Sequence, residues 1–265
     1  MIVYKNLNIK KIHKDSVVAI GNFDGLHLGH QKVLKEAKQK AKKNNLKFGL
    51  ITFEPAPTMF FNKLIKNHRI NSLNQKIYFL KRMKLDFVII INFNKNFSNL
   101  SAEGFIEKIL FKKIKSKYIF VSRNFKFGKK RIGNVITLKN FEKKYFYKTI
   151  ITPPHKKGKK IVSSSLIRKN IYQGRVKDAE RLLGRTWSIE GEVVKGAQRG
   201  RKIGFPTCNI RLNTYTMPKL GVYSVQIKIN NLKKKGIANI GYRPTFNGKR
   251  LLLEVNIFGI KRNLY

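Results

Sequence analysis

Two histidines stand three residues apart in GNFDGLHLGHQ, residues 21–31. Imidazoles, neutral or protonated, hydrogen-bond to phosphate oxygens. Gly21 and Gly25 permit a tight turn and close approach of backbone to a ligand. A helix beginning near Gly29 aims unpaired N–H groups and a partial positive charge at the same place. His27 and His30 add directed donors beside it. This is equipment for electrostatic stabilisation of a charged phosphoryl centre, not for nucleophilic attack. Two other readings stand beside it: the histidines are incidental, or they bind a metal. No Cys, Asp or Glu cluster next to them completes a metal site.

Such a site needs elements to hold it. SVVAIG, residues 16–21, reads as a buried strand, and His30, Val33, Leu34, Ala37 and Ala41 recur at helical spacing. Further strands are expected over 46–53, 87–91 and 117–122, with helices over 71–84 and 101–111. Strands alternating with helices predict an α/β fold, a Rossmann-like parallel sheet with helices on both faces. Ligands of such sheets sit at the carboxyl ends of the strands, where residues 21–31 fall. Residues 163–184 read as two short helices broken at Gly174. After Trp187 the pattern changes to strands alone, over 188–195, 206–212, 221–229, 235–240 and 251–258. That predicts a smaller antiparallel barrel, and a domain boundary that divides 1–184 from 185–265.

Composition bounds the function. The chain has 265 residues, 42% of them hydrophobic, enough for a core in each of two modest domains. No apolar run approaches the roughly 20 residues that span a bilayer, and no signal peptide is expected. One cysteine, Cys208, excludes an internal disulfide and fits a reducing cytoplasm. Fifty-eight Lys+Arg against 13 Asp+Glu give +45, a charge that raises nucleic acid as a partner. The lysines are scattered, however, and the chain is rich in Asn and Ile, as AT-biased coding produces. A solvated cationic surface accounts for them and attracts anionic ligands in general. A nucleic-acid-binding protein on a nucleotidyltransferase-like fold remains the alternative, argued from net charge only.

More motifs follow in order: TFEPAPTMFF (52–61), FSNLSAEGFIEKIL (97–110), SRNFKFG (122–128) and VSSSLIR (162–168). Read alone, Phe125 and Phe127 are core phenylalanines, and the serines are a helix cap. Together with H-x-G-H, which other nucleotidyltransferases and class I aminoacyl-tRNA synthetases share, they resemble the adenylyltransferase half of the prokaryotic bifunctional riboflavin kinase/FMN adenylyltransferases, or FAD synthetases. The resemblance implies transfer of AMP from ATP to FMN, giving FAD and pyrophosphate. It makes His27, His30 and Arg168 catalytic, with Arg168 on the β- and γ-phosphates. It assigns Gly21, Phe23, Asp24, Gly25, Gly29, Ser163, Ser164 and Ser165 to the nucleotide, and Asn124, Phe125, Phe127 and Phe61 to the flavin. Ala56 departs from the family's usual His, Ser122 and Arg123 from its usual Gly and acidic residue, and Ser165 stands in a Thr position.

GAQRGRKIGFPTCNI, residues 196–210, is dense in glycine and arginine. Alone it is equally a phosphate-cradling loop or a flexible hairpin. It resembles the riboflavin kinase glycine loop and Pro-Thr-x-Asn motif. That resemblance implies Gly196, Gly200 and Gly204 on ATP phosphates, and Thr207 and Asn209 on Mg²⁺. LLLEVNIF, residues 251–258, resembles the strand with the kinase base, so Glu254 would deprotonate the riboflavin 5′-hydroxyl. The kinase-like half also argues against an unrelated H-x-G-H transferase. The sequence stops at Tyr265 within a stretch like the family's Leu-Tyr-Gly turn. The expectation is an incomplete barrel with an unpaired edge and a weakened or inactive kinase. The expected partners are small molecules (ATP, FMN, riboflavin), with no specific nucleic acid and no membrane.

Overall fold

The computed structural model describes residues 1–65, 67–194, 206–212, 214–229, 232–245 and 248–259. Six parallel strands carry the first part of the chain: β1 (Ile2–Tyr4), β2 (Val17–Ile20), β3 (Phe48–Glu54), β4 (Phe87–Asn92), β5 (Tyr118–Ser122) and β6 (Lys148–Thr152). Their spatial order is β1-β4-β3-β2-β5-β6. The central strands are almost unbroken apolar runs because both faces of the sheet are covered. Alternate residues feed two cores. Val18, Ile20, Ile51, Ile89 and Val121 pack with Phe105, Ile106 and Leu110 on one face. Val17, Ala19, Leu50, Val88 and Phe120 pack with Leu34, Ala37 and Leu80 on the other.

Helices connect these strands: α1 (Leu28–Lys43), α2 (Pro57–Phe61), α3 (Leu73–Arg82), α4 (Lys95–Ser98), α5 (Ala102–Gly104), α6 (Val135–Asn140) and α7 (Glu142–Tyr145). Ser101 caps α5 by accepting the Gly104 N–H at 3.0 Å, and the helix continues with π-type turns over Phe105–Lys113. The chain lays β3 and β4 to one side of β2, then β5 and β6 to the other. The crevice between the ends of β2 and β5 is therefore the topological switch point. Residues 21–27 leave it after β2, and residues 122–128 leave it after β5.

A short hairpin, β7 (Lys156–Lys157) and β8 (Lys160–Ile161), precedes α8 (Ser164–Tyr172) and α9 (Val176–Leu183). The remaining strands are β9 (Val193–Val194), β10 (Thr207–Ile210), β11 (Gly221–Ile229), β12 (Leu232–Thr245) and β13 (Gly248–Ile257). They form an antiparallel sheet in the order β11-β12-β13-β10-β9. Cys208, Ala238, Ile240, Leu253, Val255 and Ile257 make its core. The strand expected over 188–195 contracts to Val193–Val194 among the described residues.

The chain gathers into two compact units. One is Met1–Ile65, Leu73–Ser164 and Leu182–Gly184; the other is Lys66–Ser72, Ser165–Arg181 and Arg185–Tyr265. Residues 67–72 join the second unit through specific bonds. Arg69 bridges Tyr215, and the Trp187 Nε1–H donates to Ile70 O at 2.9 Å. Arg168 Nε and Thr216 Oγ1 both donate to His68 O, at 2.7 and 3.0 Å, and Arg185 donates to Asn71 Oδ1 at 2.9 Å. Ile70 is completely buried among these groups.

Candidate active site

β2 delivers the chain to residue 21, and residues 21–27 turn it into α1. Phe23 and Leu26 hold φ of 47° and 41°, and Gly25 holds 81°. Non-glycine residues in that left-handed region cost on the order of 1–3 kcal/mol each and persist only where the surroundings dictate them. Here three alternate carbonyls of the turn are held from outside. Asn22 O accepts from Thr52 Oγ1 of β3 at 3.1 Å and from Lys76 Nζ of α3 at 2.8 Å. Asp24 O accepts from Ser164 Oγ at 2.9 Å. Leu26 O accepts from Gln31 Nε2 at 2.9 Å, which also donates to Leu183 O.

His27 is the N-cap of α1. Its Nδ1 accepts the His30 N–H at 3.3 Å. A ring nitrogen that accepts carries no proton, so with Nδ1 accepting, a ring N–H of His27 stands on Nε2. The His30 ring stacks on it, centroids 3.7 Å apart and planes at 18°. Phe23 lies 5.0 Å from the same ring. His30 keeps some exposed surface, yet its Nδ1 is buried and has no hydrogen-bond partner among the described residues. Burial foremost, then His27, then Lys76, pushes the His30 imidazole well below the ordinary histidine pKa, so it is neutral at physiological pH. A Cβ at Gly29 would stand 3.1 Å from the His27 ring and 3.4 Å from Val162 O, which is why glycine separates the pair. Among the described residues no group of three His, Cys, Asp or Glu could hold a metal ion.

The structure thus brings together His27, His30, Gly21, Phe23, Asp24, Gly25, Gly29 and Ser164 around one turn. Ser163 is half-buried and Ser165 exposed at the start of α8. Arg168 belongs to the second unit, where its Nε is bonded to His68 O. Of the residues expected to meet a flavin, Asn124 is exposed, but Phe125 and Phe127 are buried and stack on each other with centroids 5.4 Å apart. Their rings sit in the core with Phe105, the packing reading of these residues. Phe61 is 66% exposed and begins an aromatic run through Phe93, Phe97 and Phe105 to Phe127.

Sequence reading missed Lys76, Thr52 and Gln31. Lys76 falls on the apolar stripe of α3 with Leu73, Ile77 and Leu80, and it is buried. A lysine on a core stripe was the signal available.

In the second unit, Asn209 stands opposite Glu254 in the β10–β13 register, and Glu254 stands opposite Asn239. Directly opposed residues share a face, and Thr207 and Asn256 lie two residues along on that same face. The apolar Cys208, Leu253 and Val255 take the other. Asn209 is buried, and its Oδ1 has no hydrogen-bond partner among the described residues. A bare buried acceptor costs about 1–3 kcal/mol, which a cation or donor would relieve. Gly196, Gly200 and Gly204 lie outside the described residues.

Comparison with known proteins supplies the context. The family model described as FAD synthetase matches residues 9–166, and that described as riboflavin kinase matches 183–265. A bifunctional riboflavin kinase/FMN adenylyltransferase from Buchnera aphidicola is 43% identical over 97% of this chain and 84% of its own length. The protein of that name from Haemophilus influenzae is 37% identical over 97% and 84%, and the one from Escherichia coli is 34% identical over 94% and 80%. A crystal structure described as a macrolide-efflux protein from Streptococcus pneumoniae superposes with a TM-score of 0.86 and 34% identity, covering 100% of this chain and 86% of that one. Efflux is said of that protein; here no helix among the described residues is long and apolar enough to cross a membrane.

Proposed function

The chain belongs to the family of bifunctional riboflavin kinase/FMN adenylyltransferases, and we propose on that footing which residues carry its two reactions. The first is synthesis of FAD from FMN and ATP. The FMN phosphate is already ionised at neutral pH, so no general base is needed. One of its oxygens bonds to the α-phosphorus in line as the bond to pyrophosphate breaks. His27 and His30 donate to the phosphate oxygens. The backbone N–H groups at the start of α1 and the Ser163–Ser165 hydroxyls add further donors. Arg168 neutralises the leaving pyrophosphate. Asn124 and the exposed Phe61 meet the flavin, while Phe125 and Phe127 support its loop from the core.

The observation that supports this reading most is the stacked histidine pair at the switch point of the sheet, with His27 capping α1 and His30 held neutral by burial. The test is product analysis of the purified chain with FMN and MgATP. FAD and pyrophosphate are expected in equal amounts; FMN and ATP left unreacted would overturn the reading.

The second reaction is phosphorylation of riboflavin to FMN. Thr207 and Asn209 offer oxygens only, which fits Mg²⁺, a hard cation held by a few protein groups together with substrate phosphates. The bare Asn209 Oδ1 supports that assignment. When bound, the ion neutralises phosphate charge. Glu254, in register with Asn209, removes the proton from the 5′-hydroxyl. The test is FMN formation from riboflavin and MgATP by the purified chain; riboflavin left unreacted would overturn these assignments. Glu254→Ala should abolish FMN formation and leave FAD formation from FMN nearly intact; a large fall in both shows that the two reactions depend on each other. The functional division proposed is 1–184 and 185–265, the compartment the cytoplasm, and the partners small molecules without specific nucleic acid.

A further inference from the structure

We propose that Lys76 is a positioning residue for adenylyl transfer: its buried ammonium pins the turn that carries His27 and His30 and places a fixed positive charge behind the pair. The proposal rests on the reading of this turn as the nucleotide site. Lys76 comes from α3, an element none of the motifs includes, and is 6% exposed. Its Nζ donates to Asn22 O at 2.8 Å and lies 3.4 Å from Thr52 Oγ1, which is itself bonded to Asn22 O. The ammonium therefore grips the first of the three held carbonyls of the strained turn, one residue before Phe23.

Taking an ammonium out of water is unfavourable, and a methionine of similar volume would fill the stripe without a charge. Two features of the site use the charge. The nucleotide brings a polyphosphate anion to this turn, and a preorganised cation lowers its energy without reorganisation. The same charge also disfavours protonation of His30. The groups acting on His30 are His27 from the turn and Lys76 from α3, besides burial. A neutral His30 keeps one ring N–H donor and one acceptor across the physiological range, instead of switching between one and two donors.

The experiment compares Lys76→Met, Lys76→Gln and Lys76→Arg with the unsubstituted chain. Three readouts are taken: FAD formation from FMN and MgATP, thermal unfolding, and titration of the His30 imidazole by NMR without ligand. The Met variant is expected to fold and to lose about 100-fold in kcat, the scale of one preorganised electrostatic partner. Its His30 titration moves upward toward the ordinary histidine value. Gln keeps a donor to Asn22 O but no charge, so it recovers part of the rate while His30 still titrates above its value in the unsubstituted chain. Arg retains the low His30 titration. A folded Met variant with unchanged kcat and unchanged His30 titration overturns the proposal. Failure of both Met and Gln variants to fold also overturns it, because Lys76 is then structural. If the unsubstituted chain forms no FAD, the functional reading fails, and the His30 titration still judges Lys76 separately.

Discussion

At the scale of single residues, the turn between β2 and α1 is a place where ordinary preferences are set aside. A histidine caps a helix, two residues sit in left-handed conformations, and a lysine lies in a core. Each is unfavourable alone and is held by a neighbour that can be named. We expect His30→Ala to lower kcat for FAD formation about 100- to 1,000-fold, the range for loss of one oxyanion donor, with little change in thermal stability. Comparable loss of folding and activity would make His30 structural. The acid limb carries a sign that can be checked. The folded chain excludes a proton from His30 that the unfolded chain accepts below about pH 6.5, so stability falls as pH drops through that value. His30→Ala should lose less stability on acidification than the unsubstituted chain. The histidine pair and its glycine stand out in sequence by type and spacing, whereas Ser164 is marked only by the family resemblance. Lys76 was not, since its partner Asn22 lies 54 residues away and no local pattern connects them.

At the scale of elements, sequence reading succeeded where burial is two-sided and periodic. β2, β3, β4 and β5 announce themselves as apolar runs, and α1 by its Val33, Leu34, Ala37 and Ala41 stripe. β1 and β6 escaped because they are the two outermost strands and keep mixed exposure, so their composition carries no run. One glycine shows how tightly the inner strands meet. Gly49 of β3 pairs with Phe87 of β4, and a Cβ there would fall 2.1–2.5 Å from the Phe87 ring. Gly49→Ala must displace that ring and the His13 stacked on it, and should cost about 1–3 kcal/mol in denaturant unfolding. An unchanged unfolding midpoint would show that the ring moves without penalty. The kinase-side row of Thr207, Asn209 and Glu254 was foreseen as motifs. Their common face emerged only from the β10–β13 register, which the amino-acid order does not state.

At the scale of the whole molecule, +45 dominates. Self-repulsion at this level destabilises the folded state and is screened over about 10 Å at 0.1 M salt. Raising salt from low to moderate should therefore raise the melting temperature while lowering kcat/KM for anionic ATP and FMN, as attraction at a distance fades. A melting temperature that falls with salt would show that specific ion pairs outweigh the net repulsion. Duplex DNA titrated over the same salt range tests the nucleic-acid alternative, for binding by charge alone weakens steeply as counterions compete.

Residues 67–72 have a consequence for any attempt to divide this enzyme. They precede the apparent seam at 184/185 by more than a hundred positions, yet Ile70 and Asn71 bond to Trp187 and Arg185 just beyond it. A gene split at that seam would deliver the downstream fragment with its indole and guanidinium deprived of their complements. Co-expressing the two pieces would then rescue what neither achieves alone, because residues 67–72 and 165–181, which belong with the downstream unit, can be supplied in trans.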